Sequence, residues 1–107
     1  MGKREELQLK LEHIIDIEEP NGDKHVYFNS PSGYKMVYPA IRYNLKNING
    51  SYANNTVFIQ QKAYELTLID TNPDSTYVEK ILQLPYCKFD RFYTADNLNH
   101  WTFTLYY

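Results

Sequence analysis

Two periodicities organise this chain. Leu7, Leu11, Ile14 and Ile15 recur at helical spacing, with Glu5, Glu6, Lys10, Glu12 and His13 falling elsewhere. That stripe predicts an amphipathic helix from Arg4 to about Asp16, although Leu7, Leu9 and Leu11 also fit the alternation of a strand. The acidic stretch Glu18-Glu19-Pro20-Asn21-Gly22-Asp23 cannot continue the helix, because Pro20 lacks an amide proton and Asn-Gly favours positive φ. His25-Val26-Tyr27-Phe28 then reads as a short strand closed by Pro31-Ser32-Gly33, and Met36 to Tyr43 opens another. Pro39 donates no ladder bond, which places it at a strand start, a bulge or a sheet edge.

The second periodicity, of two, governs the rest. Phe58, Tyr64, Leu66 and Leu68 share one parity between Val57 and Asp70, the longest strand pattern; Gln60 and Lys62 fall on the same side, so its first half is expected to project past the core. Between Leu45 and Thr56 the residues are polar and turn-forming, which predicts a long hairpin loop. Asn72-Pro73-Asp74-Ser75-Thr76 turns the chain, and Thr76 with Glu79 three residues later has capping-box spacing. Tyr77, Val78, Ile81 and Leu82 form the stripe of a short helix ended by Pro85. Phe89 to Tyr93 leads through a polar loop, Thr94 to His100, into Trp101, Phe103, Leu105 and Tyr107, which alternate with Thr102, Thr104 and Tyr106. The chain is thus expected to close on a strand of its own sheet. The elements add up to an α+β domain, a small and mainly antiparallel sheet carrying two helices and a long extended hairpin.

Composition narrows the function classes. A chain of 107 residues holds one modest core and no second domain. Aromatics reach 16%, and eleven of them are tyrosine, which buries its ring and keeps its hydroxyl wet, as half-buried sheet faces and protein interfaces require. The formal charge is −2 with no basic block, unlike the footprint of a nucleic-acid binder. One cysteine, Cys87, excludes an internal disulfide, and no apolar segment of the signal-peptide kind follows Met1, so synthesis in the cytoplasm and no membrane association are expected.

Candidate chemistry is sparse. Asp70 to Ser75 imitates half of an EF-hand loop, but Ser75 stands where glycine is needed and Ile81 where the bidentate glutamate belongs. His13, His25 and His100 have no metal-ligand spacing, and no cofactor is expected. Asn49-Gly50-Ser51 and Asn54-Asn55-Thr56 match the glycosylation pattern and, without a secretory signal, report only exposed polar loop. Cys87 reads as a small packing residue. One constellation, Arg91, Tyr93 and His100, has the cation, proton donor and acceptor of a small ribonuclease. Aromatic strands could instead stack unpaired bases, though such binders add a positive groove.

Several segments together resemble a known lineage. His25 to Phe28 with Pro31, Met36-Val37-Tyr38-Pro39-Ala40-Ile41-Arg42-Tyr43, Tyr52-Ala53-Asn54-Asn55, Tyr64 to Asp70, Asn72-Pro73-Asp74-Ser75 and Phe89 to His100 look like small tail-assembly proteins of phages and prophages of Gram-positive bacteria. The order helix, strands, long hairpin, helix, final strand is similar to the tail terminator family of long-tailed phages. That resemblance implies a homo-oligomeric ring, a hexamer, that caps the tail tube, stops its polymerisation and offers its opposite face to head completion or neck proteins. DNA would pass through the lumen unbound, and the protein would reside at the tail-neck junction of the virion. Neck proteins of similar size, stopper or adaptor rings, share the description. Tyr52, Asn54, Asn55 and Phe58 in the hairpin and Asp90, Arg91, Asp96 and Asn97 around the last loop are the expected subunit or tube contacts. A ring requires two complementary but different lateral surfaces per subunit, and the hairpin from Leu45 to Gln61 could supply one by crossing onto its neighbour.

Overall fold

A computed structural model describes the backbone of residues 3–17, 19–20, 22, 24–30, 36–53 and 57–107, with side chains at all of these except residues 3, 47–53 and 57–61. Its elements run α1 (Lys3–Ile15), β1 (Val26–Phe28), β2 (Ala40–Ala53), β3 (Val57–Asp70), α2 (Tyr77–Leu82), β4 (Cys87–Ala95) and β5 (Leu98–Tyr106). The strands make one mixed sheet in the order β1-β2-β3-β5-β4. Only β1 on β2 is parallel; the other three pairings are antiparallel. The architecture is α+β.

Both helices pack on one face of this sheet. Leu7, Leu11 and Ile15 of α1 and Ile81 of α2 are buried against Ile41, Tyr43, Leu66, Leu68, Phe103 and Leu105. Fully burying one such side chain stabilises the fold by roughly 1.5–3 kcal/mol. The seam of α1 is polar but satisfied: Arg4 donates to the Tyr43 hydroxyl at 3.3 Å, that hydroxyl donates to Gln8 Oε1, and Gln8 Nε2 donates to Glu12 Oε2 at 2.9 Å. The helix ends at Asp16, whose φ of 52° is left-handed and whose amide donates to the Glu12 carbonyl at 2.9 Å. Helix, and not strand, is what the Leu7 to Ile15 stripe forms.

His25 fastens the next join. Held at φ 63°, it is buried, and its own carbonyl accepts from the Ile41 amide at 2.9 Å. Nδ1 donates to the Pro39 carbonyl at 2.7 Å, and Nε2 lies 2.8 Å from Glu19 Oε1, a bond that needs a proton on one of the two. Pro39 stands directly before β2, at a strand start, after a cis Tyr38-Pro39 bond. The expected closure at Pro31-Ser32-Gly33 lies outside the described residues.

Five sequence expectations are corrected. The stretch from Leu45 is strand, not loop: β2 continues to Ala53 and pairs with β3 as far as Ala53↔Val57, with one irregularity between Leu45 and Asn47. Thr94 to His100 is not a loop either, because β4 and β5 pair up to Ala95↔Leu98 and turn through Asp96 (φ 53°) and Asn97 (φ 62°) alone. Two successive positive φ values make the tight hairpin turn that Asp and Asn tolerate. Thr76 precedes α2 but its side chain makes no capping bond; instead Asp70 Oδ1 accepts from the Asn72 amide at 3.1 Å and Asn72 Oδ1 from the Asp74 amide at 2.9 Å. Leu82 faces out of its helix, and Thr102, expected outside, is buried.

The long hairpin does project. Pairing of β5 along β3 begins at Ala63↔Tyr106, and the Tyr107 amide reaches the Lys62 carbonyl at 2.9 Å, so from Val57 to Gln61 β3 has β2 as its one strand neighbour among the described residues. At about 3.4 Å per residue the arm extends roughly 20 Å past the core. The molecule is accordingly long, 50 × 29 × 27 Å, with a radius of gyration of 15.1 Å. A compact chain of this length would have about 13 Å.

Candidate assembly surfaces

The β2–β3 arm and the outer edge of β4 are the two features that the core leaves unused. Of the expected contact residues, Tyr52 and Phe58 are register partners across the arm. Asn54 and Asn55 lie outside the described residues. Asp96 and Asn97 form the β4–β5 turn, beside Asn99, which pairs with Asp70. Because Val57 and Asp70 are the two ends of β3, the arm and this turn stand at opposite ends of the sheet, about 44 Å apart along the strand. The expected residues therefore divide into two separate surfaces.

Asp90 and Arg91 lie between them. Asp90 is the extra residue of a bulge, the register passing from Phe89↔Phe103 to Arg91↔Thr102. Its Oδ2 accepts from Arg91 at 3.2 Å, but both side chains are exposed, so the pair is worth under about 1 kcal/mol. The bulge re-aims the strand and does not anchor it.

What the sequence reading missed is the apolar strip beside that bulge. Leu82 (43% exposed), Tyr86 (77%), Phe89 (43%) and Phe92 (49%) follow one another from the end of α2 along β4. Phe89 stands edge-on to Phe103 with centroids 5.8 Å apart, and Phe92 lies against Trp101 at 5.3 Å, so both rings have their inner sides on the core and their outer sides in solvent. Aromatic residues presented in this way characterise the buried centre of protein interfaces. Phe89 and Phe92 are three residues apart, which breaks the strand period; only the bulge returns them to one face, and nothing in the sequence announces it.

The opposite face carries Arg91, Tyr93 and His100. Tyr93 stacks on its register partner His100 at 4.7 Å and 12°, and Arg91 lies 5.9 Å from the Tyr93 ring. His100 Nδ1 is engaged with the Leu98 carbonyl at 3.2 Å. The three are neighbours, but the imidazole and phenol lie face to face in a stack, with no hydrogen bond between them through which a proton could pass. Arg42, Lys46 and Lys88 share this face by register, with Glu65 among them and Lys46 donating to Thr104 Oγ1 at 3.4 Å.

Burial pushes the Cys87 thiol up to about 11 and raises the Tyr43 and Tyr64 hydroxyls above their ordinary value. Cys87 is accordingly a packing residue, expected to react slowly with iodoacetamide at neutral pH. For acids whose folded pKa is raised, the unfolded chain releases protons first, so stability holds below the ordinary thiol value and falls as pH rises from there towards 11. A urea midpoint equal at about pH 8 and about pH 10.5 would contradict this.

Among the described residues no group of histidine, cysteine and carboxylate side chains could hold a metal ion, and no helix is long and apolar enough to cross a membrane. Searches against protein-family models and curated proteins return no match for the chain.

Proposed function

We propose that the chain is a structural protein of a long-tailed phage or prophage of Gram-positive bacteria, the tail terminator: a ring, a hexamer, that caps the tail tube, ends its polymerisation and joins the tail to the head or neck. The protein works by shape and makes no covalent chemistry. The observation that carries the reading is the pairing of a projecting β arm with an uncovered aromatic edge strand elsewhere on the molecule. Two unlike surfaces on one subunit give heterologous contacts, which close into a ring when the rotation permits. Partners at the ring's ends are the tube protein and a head completion or neck protein, and DNA traverses the lumen without specific binding. The location is the tail-neck junction of the virion, after synthesis in the host cytoplasm.

The same surfaces serve another head-to-tail connector, a stopper or adaptor ring. Electron microscopy of assembled particles separates the two: a terminator ring sits on the head-proximal end of the tube, a connector ring on the portal side. Deletion of the gene is expected to give tails of uncontrolled length that fail to join filled capsids; normal, joined tails would end the proposal. RNA hydrolysis abolished by His100→Ala would favour the ribonuclease, and single-strand binding with a steep salt slope would favour the stacking module.

A further inference from the structure

β4 is a sheet edge that the fold does little to protect. Monomeric proteins blunt their edge strands by shortness, bulges, charge or cover, because a row of unpaired N–H and C=O groups accepts any strand offered. At the other edge β1 is only three residues long and pairs β2 from Ile41 to Tyr43, so β2 from Asn44 to Ala53 has no described strand outside it. β4 runs for nine residues, most of them exposed, and its bulge at Asp90 guards only the half before it. From Arg91 to Ala95 the strand is regular and carries one charge, that of Arg91.

Of the arm's two unpaired edges, the one on β3 has the same length as the regular half of β4. From Val57 to Gln61, β3 has β2 on one side and no described strand on the other, where β5 would lie if it continued past Tyr106. We infer that the edge from Arg91 to Ala95 takes, as its next strand, the stretch from Val57 to Gln61 of a second copy of this chain. The inference rests on the ring reading and names its lateral contact. An arm inserted there continues the neighbour's sheet beyond β4, and backbone hydrogen bonds supply the attachment without reference to side chains. Phe89 and Phe92 border the seam and provide the apolar contact that a ladder lacks.

Area supports this occupant. The accessible surface is 7041 Å², whereas a compact monomer of 12.7 kDa would expose about 6,200 Å². The excess, about 800 Å², equals one partner's share of a standard stable interface. Since arm and edge are different parts of the molecule, each copy gives one and receives one. The contact is head-to-tail and cannot stop at a dimer.

Cysteine pairing tests it. Ile59 and Tyr93 are the central residues of the two stretches, so they meet whichever direction the added strand takes, and paired residues in adjacent strands stand close enough for a disulfide. In a Cys87→Ser background, an Ile59→Cys chain mixed with a Tyr93→Cys chain is expected to give a covalent dimer on oxidation. A chain carrying both substitutions should give a ladder of multimers that ends at the closed ring. Either single variant cross-linking to itself would mean a symmetric contact and would overturn the inference. A ring mass by light scattering without the mixed disulfide would overturn it too, while leaving the ring reading intact. A chain that neither associates nor cross-links would overturn both. A variant with residues 49–61 replaced by Asn-Gly provides an independent check, since the turn then closes on the native pair Ile48↔Lys62 and every described core contact is kept: it should melt like the parent yet stay monomeric, and its assembly into rings would refute the inference.

Discussion

Phe103→Ala is expected to cost about 3–5 kcal/mol, a large part of the stability of a domain of this size. Phe103 is fully buried on β5, an inner strand between β3 and β4, with Leu66 as register partner on one side and Phe89 on the other. Its ring lies between the helices and the sheet, and removing it opens a cavity that three strands and Ile81 cannot close without losing their own contacts. Phe89 would lose its edge-to-face partner as well, 5.8 Å away. Urea unfolding followed through Trp101, the single tryptophan, measures the change. Phe89→Ala on the same column is the control: half-exposed, it should cost about 1 kcal/mol or less, since only part of its surface leaves water on folding. Equal losses for the two would mean that the core is centred elsewhere.

His25→Ala is expected to cost about 2–4 kcal/mol, more than its volume alone would suggest. Both ring nitrogens are occupied, one by the Pro39 carbonyl and the other by the Glu19 carboxylate, so the loop before β1 and the start of β2 are tied through one side chain. Alanine takes the imidazole donor from that half-buried carbonyl and releases Glu19. His25→Phe preserves most of the volume and none of the bonding; if the bonds matter, it should be destabilising to a similar degree. A loss below about 1 kcal/mol for both variants would show that the join holds without them.

Elements with a buried face were legible in the sequence. The stripe of Leu7, Leu11 and Ile15 marked α1, and the alternation of Tyr64, Leu66 and Leu68 marked β3, because burial leaves a period in the residue types. β2 beyond Leu45 was not legible. That half is held by its ladder to β3 at a distance from the core, and a strand with no core beside it has no reason to alternate; asparagine and glycine then read as loop. The same applies from Thr94 to His100, where mostly polar residues at the end of the sheet conceal seven positions of which two make the turn. The missing cap of α2 is a different failure. Thr76 and Glu79 have suitable spacing, but Thr76 sits in the helical region at φ −74°, ψ −14°, while Asp70 and Asn72 organise the turn before it. Of the surfaces, the sequence pointed to the arm and to Asp90 and Arg91 but not to Phe89 and Phe92, whose shared orientation depends on a bulge.

The arm also has a property that concerns how such a protein changes over time. Each of its strands can gain or lose two residues while every remaining side chain keeps its side of the sheet, and each such step alters the reach by about 7 Å. Since the arm lies beyond the last β3–β5 pair and no described residue of it belongs to the core, these steps leave that interior untouched. Reach can thus vary independently of stability, like a rod adjustable in fixed increments.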